Sequence, residues 1–292
     1  MSKARVAALV GPTAVGKTDL SLVVAEHLDA EIISIDSMQV YVGMDIGTAK
    51  VPLEERTRVA HHLIDIRLPD YDLTVAEFQS LARAAITEVS TRGKLPLLVG
   101  GSGLYLRAVV DDLEFPARSE EVRAELEVEA EEVGAEALYV RLKEMDPTAA
   151  ARIEPGNARR TIRALEVIQL TGRPFSENDS WDRYESIYDL RIAGLTRARA
   201  DLYARIEQRV DRMLEAGLVQ EANGLQESMS RTARQALGYR QVLESPPETL
   251  RDDIVRATKR FAKRQESWFK ADPRVRWFDA REGWEPLSRY LR

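Results

Sequence analysis

The residues Gly11-Pro12-Thr13-Ala14-Val15-Gly16-Lys17-Thr18 satisfy the pattern G-x-x-x-x-G-K-[ST] at every constrained position. The chemistry of that spacing is anion binding. Glycines let backbone N–H groups converge on phosphate oxygens, Lys17 adds a point charge, and the Thr18 hydroxyl can hold Mg²⁺. A second candidate is Asp36-Ser37-Met38-Gln39, in which a carboxylate directly follows an apolar run. A phosphate cradle by itself names a handle and not a reaction, so the elements that carry these residues matter.

Val6 to Val10 read as a buried strand before the cradle, and Leu20, Val23, Val24, His27 and Leu28 recur at helical spacing after it. Glu31 to Ile35 form a second strand, and ligands of an open parallel sheet sit beyond the carboxyl ends of its strands, which would bring Asp36 beside the cradle. A lone Asp in that position is as often a turn residue. The segment from Val40 to Pro52, with Gly43, Asp45, Gly47, Thr48 and Lys50, reads as a loop over the site. His61 to Ile66 is expected to be a third strand, on which adjacent histidines face opposite ways and so hydrogen-bond rather than share a metal. Thr74-Val75-Ala76-Glu77 is a capping-box signature for a helix with Val75, Phe78, Ala82, Ala85, Ile86 and Val89 on its apolar side. Leu95 to Val99 is then a strand, but Gly100-Gly101-Ser102-Gly103 follows it where a nucleotide hydrolase would place an Asp for its metal.

The chain of 292 residues has a formal net charge of −6, so attraction to nucleic acid must come from local basic patches. No cysteine is present, which excludes disulfides and thiolate metal sites and fits a reducing, cytoplasmic setting. Lys3 and Arg5 precede an apolar run of strand length that ends in Gly11-Pro12, unlike a signal peptide, and no apolar run is long enough to span a membrane. From residue 118 to 185 the pattern turns to polar helices, with a glutamate-rich solvated stretch around Arg123 and a basic cluster at Arg159, Arg160 and Arg163. Ser186 to Leu195 restores a strand, and helical sequence runs from about Arg199 to Ala216. A last long helix, about Glu248 to Lys270, is expected to place Leu250, Ile254, Ala257, Phe261 and Trp268 on one side. Arg256, Lys259, Arg260, Lys263 and Lys270 fall on the other, a basic face suited to a phosphate backbone.

These stretches together resemble the tRNA dimethylallyltransferases, or tRNA isopentenyltransferases. The resemblance runs through GPTAVGKT (11–18), SIDSMQVYVGMDIGTAK (34–50), HHLIDI (61–66) and VGGSGLY (99–105), and on through RALEV (163–167), QALGYRQ (235–241) and TKRFAKRQESWFK (258–270). Two departures are visible: Ser102 stands where threonine is usual and Val51 where proline is usual. The resemblance implies a P-loop NTPase-like α/β core, a parallel sheet flanked by helices, at residues 1–117 and 186–292, with an all-helical insertion at 118–185 that contacts tRNA. It implies transfer of a dimethylallyl group from dimethylallyl diphosphate to N6 of the adenine 3′ of the anticodon, in a monomeric protein that meets the tRNA anticodon stem-loop. Gly11, Thr13, Ala14, Gly16, Lys17 and Thr18 would hold the diphosphate, Thr18 with Mg²⁺. Asp36 would be the general base, supported by Ser102 and Arg123. Asp36, Ser37, Met38 and Gln39 would hold the target base, and Arg159, Arg160, Arg163, Gln235, Gly238, Tyr239 and Arg240 would meet tRNA, with Lys259 and Lys263 added on charge grounds. The alternatives are a P-loop kinase of a small metabolite, a transferase acting on free adenine nucleotide, and an RNA-binding nucleotide switch.

Overall fold

The computed structural model describes residues 3–116, 118–178 and 183–292. The elements run β1 (Arg5–Val10), α1 (Lys17–Leu28), β2 (Ala30–Ser34), α2 (Leu53–Arg58), β3 (His61–His62), α3 (Val75–Thr91), β4 (Leu95–Gly100) and α4 (Gly103–Val110). Next come α5 (Glu120–Val133), α6 (Ala135–Met145), α7 (Pro147–Ala150) and α8 (Ala158–Thr171). The chain closes with β5 (Asp189–Thr196), α9 (Arg199–Glu215), α10 (Leu218–Leu225), α11 (Arg231–Arg234), α12 (Tyr239–Glu244), α13 (Leu250–Ala271), β6 (Val275–Asp279) and α14 (Glu285–Leu291).

Among the described residues the strands make one parallel sheet in the order β3-β2-β4-β1-β5-β6. A parallel sheet covered by helices on both faces needs strands that are apolar on both sides, and Val6 to Val10 are buried throughout. Period-two alternation then divides them. Val6, Ala8 and Val10 join a core with α3 and α4, while Ala7 and Leu9 join one with α1 and α14. Register sets the functional edge: Val10 lies opposite Gly100 and Gly194, and Ser34 opposite Val99, so β2, β4 and β1 end together while β5 runs on to Thr196. Gly11 turns out of β1 at φ +147°, where an added Cβ would lie 2.8 Å from the Leu195 carbonyl oxygen. Only glycine allows that approach.

The chain divides into two compact units, Met1–Asp111 with Tyr184–Arg292, and Asp112–Arg183. The second holds α5 to α8 around Leu126, Leu138, Leu142, Ile162 and Leu165. Residue 117, where the sequence reading closes the first core segment, lies outside the described residues.

Three local expectations change. β3 stops at His62, because Leu63 and Asp65 take left-handed conformations, and Asp65 turns to Lys50 and Arg56 (2.5 and 2.6 Å). The capping box of α3 is half formed: Thr74 accepts from the Glu77 N–H, but the Glu77 carboxylate goes to Arg67 and Tyr71. On α13 the buried positions are Ile254, Val255, Thr258, Ala262, Gln265 and Phe269, with Trp268 39% exposed, so the face turned inward is rotated from the expected one and includes two polar residues, Thr258 and Gln265.

Candidate active site

The phosphate cradle is fastened from three sides. The Thr13 N–H donates to Gln265 Oε1 (2.8 Å), and the same amide donates through Nε2 to the Gly101 carbonyl (3.0 Å). Gln265, inward on α13, thereby ties the cradle to the turn after β4. Arg205 Nε donates to the Ala14 carbonyl (2.8 Å) and Arg197 Nε to that of Val15 (3.3 Å). Ala14 itself is left-handed, φ 64°, a strained conformation that these bonds fix. Gly16 caps α1 at φ 110° with no side-chain bond to the helix, so the first N–H groups of α1 point out at the carboxyl edge of the sheet. Thr18 is exposed there. The Thr13 N–H, expected among the diphosphate donors, is instead committed to Gln265, which narrows the backbone cradle to the residues after it.

Lys17 is drawn back to the Gly11 and Pro12 carbonyls, 2.9 Å each. Burial first, and then the charge of Arg209, bring its pKa down to about 7, against the opposing pull of Asp36. Burial likewise lowers Arg209, again countered by Asp36. Lys17, after β1, and Arg209, on α9, therefore both feel the charge of Asp36, on the turn after β2, although β4 lies between those strands. Two cations to one carboxylate, beside a helix amino end, leave an excess of positive potential suited to a diphosphate. Arg209 was not singled out from the sequence. Arg205 and Arg209 are spaced i, i+4 on α9, and that spacing was the available signal.

Asp36 Oδ1 accepts the Met38 N–H (2.9 Å), which holds the carboxylate on its own turn. Gln39 accepts from the Ser34 hydroxyl (2.9 Å) and donates to the Thr48 carbonyl (3.2 Å). Ser37 and Met38 are partly exposed between them. Ser102 caps α4 without using its hydroxyl for the cap, which leaves that group available at the end of β4. The histidines hydrogen-bond, His61 with Val59 and His62 with Glu31.

The expected RNA residues divide. Tyr239 is fully buried, its hydroxyl donating to Glu221 and its ring against Gly47, so it has no face to offer a tRNA, and Gly238 is buried beside it. Gln235 and Arg240 of the same motif are exposed, Arg240 pairing with Glu244. In the helical unit Arg159 and Arg160 are exposed. Arg163 instead binds Glu166 (2.9 Å) and the Pro116 carbonyl (2.8 Å), and these bonds restrain the side chain that was expected to face RNA. Arg123 pairs with Glu127 (3.0 Å) in that unit. On α13, Lys263 is exposed, whereas Lys259 turns to Glu207 (2.5 Å) and over the Tyr203 ring.

Residues 39–272 match the family model described as IPP transferase. The chain is 52% identical to the tRNA dimethylallyltransferase of Streptomyces coelicolor over 94% of this chain and 89% of that one. Identity to the enzyme of the same name from Geobacillus kaustophilus is 46%, covering 98% and 96%. Among solved structures, the full-length tRNA isopentenylpyrophosphate transferase of Bacillus halodurans superposes with a TM-score of 0.69 at 46% identity, over 95% of this chain and 90% of that one. A eukaryotic dimethylallyltransferase acting on tRNA superposes with a TM-score of 0.81 at 27% identity, over 95% and 74%. The sheet, the phosphate cradle and the sequence match agree, and the chain belongs to the IPP transferase family.

Proposed function

We propose that this protein transfers a dimethylallyl group from dimethylallyl diphosphate to N6 of the adenine 3′ of the anticodon in tRNA, releasing diphosphate. The observation that carries the reading is the Asp36 turn after β2, at the same sheet edge as a P-loop whose neighbouring strand β4 runs into Gly100-Gly101-Ser102-Gly103 and not into an acid. A phosphoryl transfer enzyme uses that acid for its metal, whereas a diphosphate leaving group needs only to be held.

N6 attacks the first carbon of the prenyl chain, and the carbon–oxygen bond breaks with its electron pair going to the diphosphate. The N6 proton passes to Asp36, because an exocyclic amine with a delocalised lone pair needs a base as its bond to carbon forms. Lys17, Arg209 and the amino end of α1 stabilise the charge growing on the departing oxygen. Ser102 is proposed to hold the diphosphate or the inserted nucleotide at the carboxyl end of β4. Among the described residues no group of three or more His, Asp or Glu could hold a metal ion. Mg²⁺ often takes only one or two protein oxygens and completes its shell with phosphates and water, so the exposed Thr18 hydroxyl fits that role. An ion held there would supply neutralisation of the diphosphate charge.

The adenine must leave its stack to reach a carboxylate at the sheet edge. Arg159, Arg160, Gln235, Arg240 and Lys263 are exposed and are proposed to contact the tRNA, with Arg123 serving the inserted nucleotide. A tRNA acceptor implies work in the cytoplasm. The test is incubation with labelled dimethylallyl diphosphate, unmodified tRNA and Mg²⁺ in the absence of ATP. Label in tRNA is expected; no label, or faster labelling of free AMP, overturns the tRNA reading.

A further inference from the structure

Glu221 on α10 belongs to none of the motifs that carry the phosphate or RNA chemistry, yet its carboxylate is heavily bonded to the loop between Val40 and Pro52. It accepts the successive backbone N–H groups of Asp45 (3.1 Å), Ile46 (3.0 Å to both oxygens) and Gly47 (3.3 Å), and the hydroxyl of Tyr239. A run of converging N–H groups is an anion nest of the kind that binds phosphates, and here the protein fills it with its own side chain. Gly47 seals the arrangement, since an added Cβ would lie 2.2 Å from the Tyr239 ring. The next residue of the loop, Thr48, takes a bond from Gln39 through its carbonyl (3.2 Å), Gln39 takes one from the Ser34 hydroxyl (2.9 Å), and that hydroxyl accepts the Asp36 N–H at 3.4 Å. On the far side, Lys50 binds Asp45, Asp65 and the Tyr41 carbonyl, and Ala49 between the two anchors is left-handed at φ 47°. A strained loop tied at both ends has one geometry to transmit.

We propose that Glu221 is a positioning residue for the transfer reaction: through the loop 45–48 and Gln39 it fixes the turn that aims the Asp36 carboxylate. This rests on Asp36 being the base proposed above. Glutamine at this position has the same shape and keeps one acceptor oxygen, but its NH₂ replaces the other and faces peptide N–H groups that need an acceptor, so one side of the nest opens while α10 stays.

The test is a double-mutant cycle read by single-turnover prenyl transfer to tRNA. Glu221→Gln is expected to lower the rate about 10–10²-fold, the cost of a base displaced by a fraction of an ångström to an ångström, with prenyl diphosphate affinity unchanged. In an Asp36→Ala background the same substitution is expected to change the residual rate by less than about twofold, because its effect runs through a carboxylate already gone. Tyr239→Phe keeps the ring against Gly47 and removes one bond to Glu221. It should show a smaller loss with the same dependence on Asp36. Equal factors in both backgrounds, or a wild-type rate for Glu221→Gln, overturn the positioning role alone. Wild-type protein that transfers no label overturns the reaction assignment and this role with it.

Discussion

Lys17 makes the site's electrostatics measurable. With a pKa near 7 it is largely neutral at higher pH, and an approaching diphosphate restores its preference for the charged form, so binding takes up a proton. The contribution of Lys17 to the affinity for inorganic diphosphate, followed by calorimetry, should fall as pH rises from about 7 toward the ordinary lysine value of 10.5, so Lys17→Met should change the pH profile by that contribution, leaving the ligand's own titration. The midpoint should move down in Asp36→Asn, which loses the charge that raises Lys17, and up in Arg209→Gln, which loses one that lowers it. Without ligand the unfolded chain binds more protons in that window, so this residue's contribution makes the fold more stable as pH rises. Asp36→Ala should cut the single-turnover rate about 10²–10⁴-fold while tRNA affinity stays near wild type; a normal rate with lost tRNA binding would remove Asp36 from the proton transfer.

At the scale of elements, α13 and α9 matter more than their place late in the chain suggests, because each sends side chains back to the cradle. Gln265→Leu leaves the Thr13 N–H and the buried Gly101 carbonyl without their partner. Each such group costs about 1–3 kcal/mol. Denaturant melts should therefore show lower stability, and prenyl diphosphate should bind more weakly. The outward side of α13 makes a contrasting test. Lys263→Gln should flatten the salt dependence of tRNA binding, whereas Lys259→Gln should leave it unchanged, since Lys259 is occupied by Glu207. Equal effects of the two would return α13 to a uniform basic face.

For the whole molecule, the phosphate cradle and the proposed tRNA contacts Arg159 and Arg160 lie in different compact units, so the two can be altered separately. Diphosphate with Mg²⁺ should raise the melting temperature of the intact protein, by the equivalent of about 2.7 kcal/mol at a hundred times its Kd, through binding to the folded state alone. Changing Arg159 and Arg160 to Gln should leave that shift intact and weaken tRNA binding. Loss of the thermal shift in this pair would show that the helical unit acts on the diphosphate site.

Much of this protein was legible in its linear order, for reasons of range. The P-loop works through consecutive backbone N–H groups, so Gly11 to Thr18 carries its own signature. The buried parallel strands announce themselves as apolar runs, and Asp36 follows one of them. The missing acid after β4 is equally a local fact. What only the tertiary structure decided depends on partners far apart in sequence. Gln265 meets Thr13, Arg209 shares its field with Asp36 and Lys17, and Glu221 fills a nest made by residues 45–47. Charge on a helix face did not reveal that Lys259 and Arg163 already had partners, nor did a motif reveal that Tyr239 is buried, because pairing and burial are set by packing and not by spacing. Composition and periodicity fix which elements form; only their assembly fixes which side chains remain free to do chemistry.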